Sequence, residues 1–198
     1  MDEIVLRAMA KWPDVPAVYG WLALDRRGQW LLKGERIANP VITEFIGRNY
    51  GADPHGGWFF QNGPQRVYVR LAYTPVVLRL ADTGVLTTHC ARPVFRLEAG
   101  WIDQNGVVLL DTEHGPTAVD DRDIEALSAC FADPTGRSLD DDALLASIER
   151  LQAGQASGLT LHYQQKHLVL QPINREEVPT RLGFVMDPQP AAGESACR

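Results

Sequence analysis

One stretch of this 198-residue chain gathers most of its chemically able side chains. It runs from Arg48 and Asn49 through Asp53 and His55 to Trp58, and on to Gln61 and Arg66. Arg48 offers a fixed charge on a planar fork that suits a carboxylate or phosphate. Asp53 and His55 supply an acid and a group that titrates near neutral pH, the ingredients of acid–base work. Trp58 can stack on a ring or anchor a core. Glycines at 51, 56 and 57 allow the flexible loop that ligands often meet. The expected ligand-binding set is therefore Arg48, Asn49, Asp53, His55, Trp58, Gln61 and Arg66, around a crevice over residues 48–66. The competing reading is a helix end, a loop and a hairpin that need such residues for their turns.

Elsewhere the chemistry is sparse. The histidines are His55, His89, His114, His162 and His167, and none pairs with another His or Cys at helical ligand spacing. His162 and His167 flank a predicted turn, as a metal pair or as a surface cross-strand pair. No metal is expected. Cys90 follows His89, and neighbours in a strand point to opposite faces, which argues against a nucleophile–base pair. Cys90 is expected to be a buried structural cysteine. Asp140-Asp141-Asp142 reads as a cation cluster or as the acidic first turn of a helix, and the helix start is expected. No Gly-x-Gly-x-x-Gly follows a strand, and neither Gly-x-x-x-x-Gly-Lys nor Gly-x-Ser-x-Gly occurs. No catalytic residue and no cofactor is assigned.

Bulk properties narrow the classes further. Hydrophobic residues make up 45% and charged residues 22%, enough for a packed core. No apolar run nears the ~20 residues that span a bilayer. The acidic start Met1-Asp2-Glu3 is unlike a signal peptide, so a cytoplasmic location and no membrane partner are expected. Cys90, Cys130 and Cys197 are too few and scattered for a disulfide framework or a zinc site. The net charge is −6, and it is uneven: residues 1–99 carry 12 Lys+Arg against 9 Asp+Glu, residues 100–198 carry 7 against 16. That asymmetry can attract the halves to each other, to a second copy or to other partners, or it simply reflects acid-rich helix starts. An acidic chain without a basic stripe is a poor binder of nucleic acid.

The elements that must position these groups come in duplicate. Gly20-Trp21-Leu22-Ala23-Leu24-Asp25-Arg26-Arg27-Gly28 is echoed by Gly100-Trp101-Ile102-Asp103-Gln104-Asn105-Gly106. Each Asp-x-x-Gly reads as the turn of a hairpin. A helix capped by Asn39 with Pro40 next carries Ile42, Phe45, Ile46 and Tyr50, closed by Gly51. Its counterpart is capped by Asp121 and carries Ile124, Leu127 and Phe131, so cap and first stripe residue both shift by 82. A second hairpin follows each, over Trp58–Leu71 around Asn62-Gly63 and over Leu159–Leu170 around Gln164-Gln165-Lys166. A last strand is predicted over Pro75–Leu80 and again over Arg181–Met186. The second copy also holds an extra helix capped by Ser138, with Leu144, Leu145, Ile148 and Leu151 inward.

The expected fold is α+β: two tandem ββα-ββ-β repeats packed as two lobes of antiparallel sheet with helices. The expected divisions are an N-terminal segment 1–19, a first lobe 20–98, a second lobe 99–187 and a disordered tail 188–198. Gln29-Trp30, Gly34-Glu35-Arg36-Ile37, the helix 40–50, Trp58-Phe59-Phe60-Gln61-Asn62-Gly63-Pro64 and Thr74-Pro75-Val76 together resemble the proteobacterial domain of unknown function 1285 family, over about residues 20–131. The resemblance implies repeated motifs in two lobes and a role in signal transduction, and it brings no catalytic residue. The functional expectation is a non-enzymatic protein that binds a small molecule or a protein partner. Its rivals are an enzyme using Arg48, Asp53 and His55, and an adaptor that forms a homodimer.

Overall fold

The computed structural model describes residues 1–13, 15–190 and 196–197. They form two compact units: residues 1–75 and 89–91 with the described residues from 183 on, and residues 76–88 with 92–182. Unit 1 holds α1 (Glu3–Lys11), β1 (Ala17–Leu24), β2 (Trp30–Leu32), β3 (Glu35–Arg36), α2 (Pro40–Arg48), β4 (Tyr50–Ala52), β5 (Trp58–Asn62) and β6 (Gln65–Leu71). Unit 2 holds β7 (Val76–Leu80), β8 (Leu86–Thr88), β9 (Leu97–Asp103), β10 (Val108–Thr112), β11 (Gly115–Val119), a 3-10 turn at Asp121–Asp123, α3 (Ile124–Ser128), β12 (Phe131–Ala132), α4 (Asp141–Gln152), β13 (Thr160–Tyr163), β14 (Lys166–Ile173) and α5 (Val178–Arg181). The last described element, β15 (Ala196–Cys197), lies parallel to the start of β1. Of the expected tail 188–198, residues 191–195 and 198 lie outside the described residues.

The fold is α+β, and the duplication is real but larger than expected. Unit 1 has the sheet order β3-β2-β1-β6-β5-β4, and unit 2 contains the same order as β11-β10-β9-β14-β13-β12. In both, the first strand of the copy lies parallel to its last, β1 beside β6 and β9 beside β14. The repeat is thus βββαβββ rather than ββα-ββ-β. The strands predicted to end each copy are outside it. Val76–Leu80 extends the unit 2 sheet beyond the copy, lying parallel to β11 with β8 outside it. Residues 181–186 form no strand: Pro179 sits in the first turn of α5, where its fixed φ favours a helix and its missing N–H rules out a ladder bond. Only Val185 bridges, to Gly57.

One turn is built four times. Asp25 Oδ1 accepts from the N–H groups of Arg27 and Gln29 at 2.9 and 2.7 Å, and Asp103 Oδ1 from those of Asn105 and Val107 at 2.8 and 2.9 Å. Asp53 does the same with His55 and Gly57 at 2.8 and 2.9 Å, and Asp133 with Thr135 and Arg137 at 2.7 and 3.0 Å. The fourth residue is always a left-handed glycine, with φ of 75, 78, 81 and 86° at Gly28, Gly106, Gly56 and Gly136. This is a type I turn followed by a glycine bulge, a standard three-residue hairpin loop. Ala52-Asp53-Pro54-His55-Gly56 and Ala132-Asp133-Pro134-Thr135-Gly136 are therefore equivalent loops.

Helix caps need adjusting in unit 2. Asn39 caps α2 as expected, accepting from Val41 N–H at 2.9 Å, but α2 ends at Arg48 and Tyr50 and Gly51 belong to β4. In the second copy the cap is Asp120, which accepts from Arg122 N–H at 3.0 Å, not Asp121. The helix stops at Ser128, so Phe131 pairs with Leu161 in the sheet. Asp140, not Ser138, caps α4, accepting from Ala143 N–H at 2.8 Å. Asp141 and Asp142 then occupy the first turn, the solvated helix start that was expected. Leu151 is buried and Leu144 and Ile148 pack on the core, whereas Leu145 faces out. The unit 2 core is aliphatic, centred on Leu78, Leu86, Ile102, Leu110, Leu127 and Leu161. The unit 1 core is aromatic: Trp30 meets Tyr50 edge-on at 4.9 Å, and Tyr50 lies 4.9 Å from Trp58.

Candidate functional site

Unit 1 scatters the seven expected site residues rather than gathering them. Asn49 is buried and structural. Its Oδ1 accepts from Asp2 N–H at 2.7 Å, its Nδ2 donates to Phe45 O at 2.9 Å, and its carbonyl accepts from Gln61 N–H at 2.9 Å. Trp58 is a core ring. His55 is exposed at the turn position that Thr135 fills in the other copy. Asp53 also accepts from the Tyr68 hydroxyl at 2.8 Å. Burial works to raise the Asp53 carboxyl, but the hydrogen bonds from Tyr68, Gly57 and His55 win and hold it below the ordinary range. Burial, and then Asp53, push the Tyr68 phenol up.

Gln61 and Arg66 do come together. A cleft of about 620 Å³ is lined by Met9 from α1, by Trp12 and the proline-bearing segment that follow it, and by Gln61, Arg66 and Tyr68 from the β5–β6 hairpin. Gln65 Nε2 donates to Pro16 O at 3.0 Å and fastens that segment to the hairpin. Gln61 is 1% exposed. Its Nε2 donates to Gly63 O at 2.9 Å, which fixes which way the amide points. Its Oε1 has no hydrogen-bond partner, the one buried side-chain atom of that kind among the described residues. The Arg66 guanidinium lies over the Phe59 ring at 4.7 Å, and Tyr68 stacks on Tyr19 at 4.6 Å.

Arg48 lines a different cleft, of about 480 Å³, between one face of α2 and Trp30, Arg36 and residues 89–91. Arg48 Nε donates to Asp2 Oδ1 at 3.2 Å. Residues 89–91 are not strand, and this removes the premise on which Cys90 was separated from His89. Ala91 takes φ 59°, the chain turns, and Cys90 Sγ lies 3.3 Å from His89 Nε2. Burial and, second, the neighbouring Cys90 raise the Tyr50 phenol well above its ordinary range. Its hydroxyl donates to Pro75 O at 3.0 Å. A third hollow, of about 570 Å³, is lined by Tyr19, Trp21, Lys33 and Arg70, and there Lys33 Nζ already sits 3.9 Å over the Trp21 ring.

His162 and His167 face each other in register, with Nε2 and Nδ1 3.0 Å apart. They stand alone: among the described residues no three His, Cys, Asp or Glu side chains are grouped to hold a metal ion. Among the same residues no helix is long and apolar enough to cross a membrane.

Sequence reasoning passed over Met9, Trp12, Tyr68 and Arg36, and it set the His89–Cys90 pair aside by treating both residues as strand.

A family model, DUF2944, described as a protein of unknown function (DUF2946), matches residues 1–189. No curated protein matches the chain. A DUF1285 family protein from Silicibacter pomeroyi DSS-3 is similar in structure, with TM-score 0.50 and 16% identity over 90% of this chain and 98% of that one. A DUF1285 family protein from Shewanella baltica OS155 has TM-score 0.40 and 13% identity over 54% of this chain and 88% of that one. The first likeness supports the α+β architecture, and its low identity limits it to the fold.

Proposed function

This chain belongs to the DUF2944 family, and we propose that it is a non-enzymatic protein that binds a small molecule in the cleft between α1 and the β5–β6 hairpin. The observation that carries this is the lone Gln61 Oε1. A buried acceptor left without a donor costs about 1–3 kcal/mol. A ligand donor that reached this oxygen through the cleft that Gln61 lines would remove that cost and favour occupancy. Around the acceptor stand groups suited to the rest of a small ligand. Trp12, 51% exposed, has Lys11 Nζ 4.5 Å over one face and leaves its other face to a ligand, and Arg66 offers donors to an anionic group. The regulatory role implied by the DUF1285 resemblance would then run through this occupancy.

Native mass spectrometry of gently purified protein tests the reading. The expected result is a retained small mass in the wild type that is lost in Gln61→Met, which keeps the side-chain length and removes the acceptor. Without ligand the same variant should have nearly wild-type stability, because the unpaired oxygen goes together with the Nε2 bond to Gly63 O. An apo wild type that binds nothing from a metabolite extract, or a Gln61→Met protein that keeps the ligand, would refute it.

A further inference from the structure

The cleft beside α2 carries a separate chemistry. Adjacent side chains ordinarily diverge, yet the turn at Ala91 brings the Cys90 sulfur and the His89 imidazole to 3.3 Å. A non-glycine residue at positive φ costs about 1–3 kcal/mol and persists only where packing holds it. Here α2 does so: a Cβ on Gly47 would lie 3.2 Å from Cys90 Sγ, so the helix leaves room for the sulfur and little more. The imidazole is seated among rings, 5.2 Å from Trp30 and 5.8 Å from Tyr50. Both residues line the open cleft, with Arg36 and Arg48 at its wall and Glu44 as the opposing charge.

The geometry points to Cys90 as a nucleophilic thiol, with His89 as its base, that is covalently modified by small electrophiles bearing an anionic group. In the step, the thiol proton passes to His89 Nε2 and the sulfur lone pair forms the S–C bond. The bond from that carbon to its leaving group breaks, and the leaving group departs with its electron pair. Nothing is oxidised or reduced. One adduct forms per chain, which keeps this site distinct from the reversible binding proposed at Gln61.

Cys130 is the internal comparison. It shows no such imidazole contact, and burial raises its thiol.

The test is alkylation of the full, folded chain with iodoacetate and, in parallel, iodoacetamide, read site by site by peptide mass mapping. Cys90 is expected to react at least ~10-fold faster than Cys130 and than N-acetylcysteine under the same conditions, a margin that thiol activation readily supplies. His89→Gln should bring Cys90 to the N-acetylcysteine rate. Arg36→Gln should abolish any preference for iodoacetate over iodoacetamide while leaving the iodoacetamide rate unchanged. A wild-type Cys90 no faster than N-acetylcysteine overturns the proposal without reference to any variant. So does a folded His89→Gln protein that keeps the full rate. Equal preference for the two reagents in wild type and Arg36→Gln removes the anionic specificity.

Discussion

Asp120 lets the electrostatics of unit 2 be tested quantitatively. It sits at the end of β11 with its side chain fully buried, while Arg122 and Arg79 beside it are about half exposed. Arg122 donates from its backbone N–H at 3.0 Å and from Nε at 2.8 Å to Oδ1, and from its terminal nitrogen to Oδ2. Arg79 Nε lies 3.9 Å from Oδ2 and is held in place by Asp123 at 2.6 Å. The side-chain bonds from Arg122 outweigh burial and take the Asp120 carboxyl from 3.8 down to about 2. At 1.36 kcal/mol per unit, and with screening by solvent around the two arginines, this amounts to about 2 kcal/mol of folding stability. Because the folded-state value is depressed, the contribution is complete above the unfolded value and is lost as pH falls through about 2. Asp120→Asn keeps the shape and removes the charge. Urea unfolding of both proteins, followed by circular dichroism from pH 7 to pH 2, should show the variant about 2 kcal/mol less stable at pH 7 and within a few tenths at pH 2. A difference that stays constant across this range would refute the reasoning, since the loss would then come from packing rather than from charge.

The other predictions concern the aspartate–glycine turns. Gly56→Ala should destabilise by about 2 kcal/mol or more in urea unfolding, because φ is +81° and a Cβ would lie 2.6 Å from Gly183 O. The equivalent change at Gly136, whose Cβ would meet only the His162 ring at 3.3 Å, should cost less. Tyr68→Phe removes a donor from Asp53, so the Asp53 carboxyl should titrate at higher pH than in wild type, measured by carboxylate-carbon NMR.

The sequence was most readable where one residue does a local job. Asp25 and Asp103 announce their turns because a carboxylate reaching two N–H groups and a glycine at positive φ are a self-contained device, and Asn39-Pro40 announces α2 for the same reason. What stayed hidden depends on distant partners. β3, β4 and β12 are two or three residues long, too short to show alternation, and exist only because a neighbour supplies the ladder. The match of Ala52–Gly56 to Ala132–Gly136 was obscured by the α4 segment inserted between β12 and β13. α1 is amphipathic in pattern yet buries only Val5, so its packing, unlike its helical character, rests on distant partners. At the sites, Gln61 was legible as a polar residue in a hairpin, but its solitary oxygen is a property of packing. The His89–Cys90 contact was argued away by a strand rule applied to residues that turn.

The parallel pair at the centre of each sheet has a consequence for synthesis. In either copy the first three strands and the last three are two separate antiparallel ribbons, joined only where β1 meets β6 or β9 meets β14. The seam is made by the earliest and the latest strand of the copy, so no partial chain can close it. A nascent chain leaving the ribosome must therefore hold one edge of β1 unpaired until residues 65–71 emerge, and one edge of β9 until residues 166–173 emerge. The second wait is longer, because α4 and its flanking loops must first be translated. Stalled or truncated chains that end between β9 and β14 are thus the ones with most sheet exposed, and the ones that chaperones would have most reason to hold.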